Sequence, residues 1–159
     1  MWIKGITDED FVNYKVPSMF IATATCDFKC DRDCGRAVCQ NAELAQADPI
    51  RTDDDYLIRR YLKNSISKAV VFGGLEPFDQ WQELFQFIQK LRMQYGCVDP
   101  VVIYTGYRED EIDGQLRFLM SLPNIIVKFG RFIPDQEPHM DETLGVKLAS
   151  DNQYARQIS

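Results

Sequence analysis

Hydrophobic runs alternate with polar, turn-forming segments along this chain, and the pattern predicts alternating strands and helices. Continuous apolar or β-branched runs predict strands at 17–25, 68–72, 100–106 and 124–130, with a last, short strand in 144–150. Apolar residues at helical spacing predict helices over 52–65, 78–94 and about 112–120, with a short helical piece after Asn41. The cysteine-containing segment between the first strand and that piece is polar and predicts a loop.

Apolar residues assign one face to each predicted helix. The shared faces are formed by Leu57, Ile58, Tyr61 and Leu62, by Trp81, Leu84, Phe85, Ile88 and Leu91, and by Ile112, Leu116, Leu119 and Met120. Strands that alternate with helices predict an α/β fold in which right-handed crossovers join parallel strands. The segments that follow the first three strands should then meet at one edge of the sheet, where such folds bind ligands.

Composition narrows the class of protein. The chain has 159 residues, of which 45% are hydrophobic and 26% are charged, which is typical of one globular domain over residues 1–159. Its net charge of −6 disfavours a nucleic-acid partner, which requires a basic surface. The N-terminus has no apolar signal segment, and no run is long enough to span a bilayer, so we expect a cytoplasmic protein without a membrane partner.

Four of the five cysteines fall within "CDFKCDRDCGRAVC", residues 26–39. Disulfides are uncommon in the cytoplasm, so a dense cluster of thiols there indicates metal binding or redox chemistry. One alternative is a structural zinc site with four thiolates, but such sites usually join two separated pairs of ligands, and here one loop supplies all four. An iron–sulfur cluster fits the segment better, because such clusters are held by closely spaced cysteines in loops. Cys97 lies apart and reads as a structural thiol.

The spacing of Cys26 and Cys30, at the end of the first strand, resembles the radical S-adenosylmethionine (SAM) superfamily. This resemblance implies a [4Fe–4S] cluster that three cysteines hold. The third ligand is Cys39 or Cys34, and we favour Cys39. Val38, which precedes it, is apolar and could contact an adenine, and the "CQN" that begins at Cys39 resembles the residues after the third cysteine in glycyl-radical activating enzymes. Residues 31–38 are then an insertion.

The "GGLEP" segment, residues 73–77, follows the second strand. Taken alone, it could be a tight turn that leads into a helix. Beside the cysteine pattern it resembles the "GGEP" motif of the superfamily, which implies that Gly73, Gly74 and Glu76 bind the SAM ammonium. At the opening of the third strand, Thr105 or Tyr107 is a further candidate for SAM contact. Asn41 could orient SAM or cap the short helix that follows it.

Longer segments resemble the activating proteins of anaerobic ribonucleoside-triphosphate reductase. They are "EDFVNYKVPSMFIATATC", "VVIYTGYREDEI", "IIVKFGRFI" and "LASDNQYARQI". The chain departs from that family at Phe129, where the family has an acidic residue, and Lys128 is adjacent. It departs again at "NYKVPS", where the family often has a basic residue. We predict that Tyr104 packs in the core and that His139 lies on the surface.

The resemblance implies a compact open partial (β/α) barrel of the radical SAM type, a mostly parallel sheet with flanking helices. It implies cleavage of SAM to a 5′-deoxyadenosyl radical that installs a glycyl radical on a partner, anaerobic ribonucleotide reductase. A small flavodoxin- or ferredoxin-type protein would donate the electron. The alternatives are a radical SAM enzyme that modifies another peptide or protein, and a non-catalytic binding module that zinc or an iron–sulfur cluster stabilises.

Overall fold

The computed structural model describes residues 1–159 and places seven strands in one mixed sheet. Its nine strands are β1 Trp2–Asp10, β2 Ser18–Thr23, β3 Ile50–Arg51, β4 Val70–Gly74, β5 Val101–Tyr104, β6 Ile125–Phe129, β7 His139–Asp141, β8 Val146–Leu148 and β9 Tyr154–Gln157. The large sheet has the order β3-β1-β2-β4-β5-β6-β9, and β7 and β8 form a separate hairpin. The four central strands, β2, β4, β5 and β6, are parallel, and the outer pairings are antiparallel.

Five α-helices connect or follow the strands. They are α1 Lys29–Cys34, α2 Ala42–Gln46, α3 Asp54–Lys63, α4 Trp81–Met93 and α5 Asp113–Leu119. The predicted helix over 78–94 begins with a 3-10 turn, Pro77–Gln80, and the Glu76 side chain accepts from the Phe78 N–H at its start. None of the helices combines the length and the apolar character that crossing a membrane requires.

The three longer helices, α3, α4 and α5, pack on one face of the sheet. Alternate residues of the strands, such as Phe72, Ile103 and Val127, point to these helices and form the main core. Their neighbours point to the opposite face, where Val71 and Val102 pack against residues of the β7–β8 hairpin. The hairpin covers only part of that face, so the edge beyond the carboxyl ends of the parallel strands stays open to a cavity.

Several predicted elements need correction. The cysteine segment is not entirely a loop, because it contains α1, and the short strand in 144–150 is not the last one, because β9 follows it. Leu62 and Met120 do not join the buried helix faces but are 45% and 56% exposed. The sheet is open at β3 and β9, and helices flank it on one face. The partial barrel of the radical SAM type stays a prediction.

Candidate iron–sulfur site

One cavity of about 440 Å³ lies beyond the carboxyl ends of the parallel strands. Because β2, β4, β5 and β6 run in the same direction, the segments that follow them reach the same edge of the sheet. Each of the four segments contributes lining residues, among them Cys26, Cys30, Cys39, Asn41, Gly74, Glu76, Thr105, Gly106, Lys128 and Gly130. The convergence that the order of strands predicts is therefore confirmed.

Three of the four clustered cysteines face this cavity, and the fourth does not. Cys26, Cys30 and Cys39 line it, whereas Cys34 lines instead a neighbouring cavity of about 370 Å³, which Cys30 also borders. All four thiols are half-buried and free of disulfides. Burial raises the pKa of Cys26 to about 11 and also raises the pKa of Cys30. These groups are thus protonated thiols at neutral pH until a metal displaces their protons.

Helix α1 contains the second cavity cysteine, Cys30, and lies between Cys26 and Cys39. Phe28, with φ of 55°, precedes the helix, and Gly35, with φ of 66°, ends it. The Asp31 side chain then accepts hydrogen bonds from the backbone N–H groups of Val38 and Cys39, each at 2.8 Å. Asp31 thereby folds the inserted residues back on α1 and returns the chain to the cavity at Cys39.

Polar side chains from other elements hold α1, because the helix buries none of its own residues. The Asp79 carboxylate accepts from the Asp27 N–H at 2.9 Å and from the Tyr107 hydroxyl at 2.6 Å. The Lys29 ammonium donates to the same hydroxyl and lies 4.0 Å from the centre of the Tyr107 ring. On the other side, Arg131 pairs with Asp33 at 2.9 Å. The sequence offers no signal for these contacts, which only the tertiary fold creates.

Close packing requires both glycines of the "GGLEP" turn. A Cβ at Gly73 would lie 3.1 Å from the Phe20 ring. A Cβ at Gly74 would lie 2.8 Å from a Leu44 methyl group and 3.1 Å from the Ala22 Cβ, and the φ of +80° at Gly74 already favours glycine. The turn therefore brings the end of β4 against β2 and α2, and it delivers the following Glu76 to the cavity.

Glu76 is a buried carboxylate with three hydrogen bonds. Its Oε1 accepts from the Thr105 hydroxyl at 2.7 Å and from the Phe78 N–H at 3.1 Å, and its Oε2 accepts from the Gly106 N–H at 2.8 Å. Burial raises the pKa of this carboxyl group to about 7, although the three hydrogen bonds oppose the rise. A cation beside Glu76 would stabilise its ionised form.

Among the other predicted site residues, Thr105, Asn41 and Val38 differ in whether they line the cavity. Thr105 is 2% exposed, and its hydroxyl fixes Glu76. Asn41 lines the cavity and makes no side-chain capping bond to α2. Val38 is half-buried beside Cys39 but does not line the cavity.

The structure also places three residues that the sequence did not assign to the site. Tyr104 packs against the second core cluster as predicted. His139 is half-buried, not a fully exposed surface residue, and lies away from the cavity. Cys97 packs against the main core, in agreement with a structural thiol.

Lys128 is a buried, charged residue of the cavity that the sequence did not assign to the site. Because side chains alternate along β6, Val127 and Phe129 point to the helices and Lys128 points to the cavity. It is 6% exposed, and its ammonium donates to the Gly130 carbonyl at 2.9 Å. Burial lowers the pKa of Lys128 to about 8. The only signal in the sequence is a charged residue inside an otherwise apolar strand.

The donor set and the space fit an iron–sulfur cluster. Three thiols from one segment face one cavity, whose remaining walls carry a buried carboxylate and the ends of three further strands. A four-thiolate zinc site would need Cys34 beside the other three thiols, and Cys34 does not line the cavity that those three share. The arrangement thus favours a cluster that three cysteines hold over a closed tetrahedral site.

Comparison with known families supports a 4Fe-4S cluster in this protein. Residues 17–154 match the family described as the 4Fe-4S single cluster domain. Because the match covers most of the chain, the protein belongs to this family, which is found in radical SAM-type enzymes. Comparisons with curated proteins and with solved structures gave no match.

Proposed function

From the membership of this chain in the 4Fe–4S single cluster domain family, we propose that it is a radical SAM enzyme whose cluster is held by Cys26, Cys30 and Cys39. The observation that carries the proposal is the shared cavity, which these three thiols line together with Glu76. Three protein ligands leave one iron of a four-iron cluster open to an external ligand, and Glu76 supplies a negative charge nearby for a cationic cosubstrate.

Cys39 is our choice for the third ligand because of the way the chain returns to the cavity. The two hydrogen bonds that Asp31 accepts from Val38 and Cys39 hold this return in place. Cys34, at the end of α1, lines instead the neighbouring cavity, which Cys30, Asp33 and Arg131 also border. Residues 31–38 therefore act as an insertion that separates the second and third ligands without supplying one.

The cosubstrate would bind between the cluster and the "GGLEP" turn. The Glu76 carboxylate would accept from the SAM ammonium, and Gly74 keeps the wall of the cavity free of side-chain atoms. Thr105 would act indirectly, since its hydroxyl holds the carboxylate in place. Asn41, with its side chain free of capping bonds, is the polar group that could contact the SAM nucleoside or the substrate.

The chemistry that a reduced cluster supplies is the transfer of one electron to the sulfonium, which cleaves SAM into methionine and a 5′-deoxyadenosyl radical. Hydrogen abstraction by this radical from a backbone glycine of a partner enzyme would give 5′-deoxyadenosine and a glycyl radical. The resemblance to activating proteins favours anaerobic ribonucleotide reductase as the partner and a flavodoxin or ferredoxin as the electron donor. The open side of the sheet supports a protein substrate, which could complete the walls of the cavity.

Anaerobic reconstitution with iron and sulfide tests the proposal. We expect bound iron and sulfide, a broad absorbance band near ~400 nm that dithionite bleaches, and 5′-deoxyadenosine after SAM is added. Cys39→Ala should lose the cluster signal, whereas the matched Cys34→Ala should keep it. Equal loss of iron in both variants would defeat the choice of Cys39. Bound zinc without iron, and no cleavage of SAM, would identify a binding module instead of an enzyme.

A further inference from the structure

Lys128 places a positive charge inside the same cavity as the three thiols. Its side chain is 6% exposed, and its ammonium makes one hydrogen bond, to the Gly130 carbonyl. No carboxylate lies within ion-pairing distance of it, whereas Arg131 and Lys29, two other basic residues at the cysteine segment, each pair with an acidic side chain. Two of its three N–H donors are therefore left for a ligand or a bound group.

A buried ammonium without an anionic partner is costly, so its retention requires a compensating charge. Burial lowers the pKa of Lys128, and the negative charges of Glu76 and of an ionised Cys30 act in the opposite direction. A cluster would convert Cys26, Cys30 and Cys39 from thiols to thiolates and make the cavity strongly negative. The missing counter-charge then comes from the bound group.

We propose that Lys128 is the counter-charge of the cluster, which helps the cavity retain the cluster and makes it easier to reduce. This inference rests on the proposed cluster site but not on the cleavage of SAM. One-electron reduction adds a negative charge to the cavity. A nearby cation in surroundings of low polarity stabilises the reduced form more than the oxidised form, and the potential of such clusters depends on the charge around them.

Potentiometric titration of the reconstituted protein with dithionite, followed by electron paramagnetic resonance, measures the effect. In Lys128→Met, the ratio of reduced to oxidised cluster at the wild-type midpoint should fall about tenfold, which is a shift of about 59 mV to more negative potential for one electron. Lys147→Met is the matched control, because Lys147 lines the mouth of the same cavity but is exposed. Its midpoint should equal that of the wild type.

Charge-retaining and charge-removing variants separate the role of the charge from that of packing. Lys128→Arg should keep the cluster and a midpoint near that of the wild type. If Lys128→Met and Lys128→Gln lose iron while Lys128→Arg retains it, the need for a counter-charge is supported. If the arginine variant loses the cluster as well, the proposal is overturned, because packing then explains the loss.

An unchanged midpoint in Lys128→Met overturns the proposal. If that variant also binds SAM more weakly, Lys128 instead holds a carboxylate of the ligand. The failure of the proposed function gives a different result, because wild-type protein would then bind no iron or would bind iron and leave SAM intact. A wild-type protein with a cluster, no SAM cleavage and a Lys128-dependent midpoint would support the present inference alone.

Discussion

Replacing Glu76 by glutamine tests the electrostatics of the cavity through protein stability. Burial raises the pKa of Glu76 from 4.5 to about 7, so the folded protein binds the proton more tightly than the unfolded chain does. The contribution of this group to the free energy of unfolding is therefore fully present below pH 4.5 and is lost as the pH rises through 7. At 1.36 kcal/mol per pKa unit, the loss is on the order of 3 kcal/mol.

The substitution also changes a hydrogen bond. Oε1 can remain a carbonyl oxygen and keep its bonds from Thr105 and Phe78, but the atom that faces the Gly106 N–H becomes an amide nitrogen. Two donors then face each other in a buried place, which costs about 1–3 kcal/mol. At pH 5 the variant should be less stable than the wild type by that amount. At pH 8 the difference should vanish or reverse, because the wild type then carries an ionised, buried carboxylate.

Urea unfolding of the cluster-free protein, under reducing conditions and at pH values from 5 to 8, measures both effects. The useful quantity is the wild-type free energy of unfolding minus that of the variant, because contributions from other titrating groups cancel. The exposed Glu137→Gln is the matched control, and its difference from the wild type should stay flat. A flat difference for Glu76→Gln as well would refute the argument that burial raises the pKa of Glu76.

Three further predictions concern the segments that position the site. Gly74→Ala should lower the free energy of unfolding by about 2 kcal/mol or more, because the added Cβ clashes with its neighbours and the φ is unfavourable for alanine. Gly35 has a similar φ but open space around it, so Gly35→Ala should lower the free energy of unfolding by only about 1 kcal/mol in the same urea experiment. Asp31→Ala should reduce the iron bound after reconstitution by at least half, and equal iron in variant and wild type would contradict its role in returning Cys39. Amide hydrogen exchange in 27–46 should be fast without the cluster and slow with it, since α1 and α2 bury no residues.

Buried elements could be predicted from the sequence, and half-exposed polar ones could not. The strands β4, β5 and β6 are continuous apolar runs, and helix α4 has a clear apolar face, so hydrophobic pattern alone predicts them. Strand β1 was not predicted because its sequence, "WIKGITDED", carries charged residues on a strand that is mostly half-buried or exposed. Helix α1 has no apolar face, and its ends depend on left-handed residues and on the Asp31 side chain.

Some residues of the candidate site could likewise be predicted from the sequence, and others could not. Cys26, Cys30 and Glu76 stand in short motifs directly after strands, so motif spacing and strand order together predict that they meet. Asp79 and Tyr107 hold the cysteine segment through hydrogen bonds between elements that are distant in the chain. No local pattern encodes such contacts, since they depend on how the strand ends are placed next to one another.

The charge of the cavity follows from the register of one strand. In β6, Lys128 pairs with Tyr104 of β5 and with Ala155 of β9, which sets it on the cavity face, while Phe129 packs in the main core. A shift of one residue would bury the ammonium among the helices and expose Phe129 to the cavity, so the core itself fixes where the charge lies. Gly130, with φ of +97°, then turns the chain so that its carbonyl accepts from the Lys128 ammonium. Packing on the helix face thus determines the electrostatics of the opposite face, and a substitution that preserves the cysteines can still change the properties of the site.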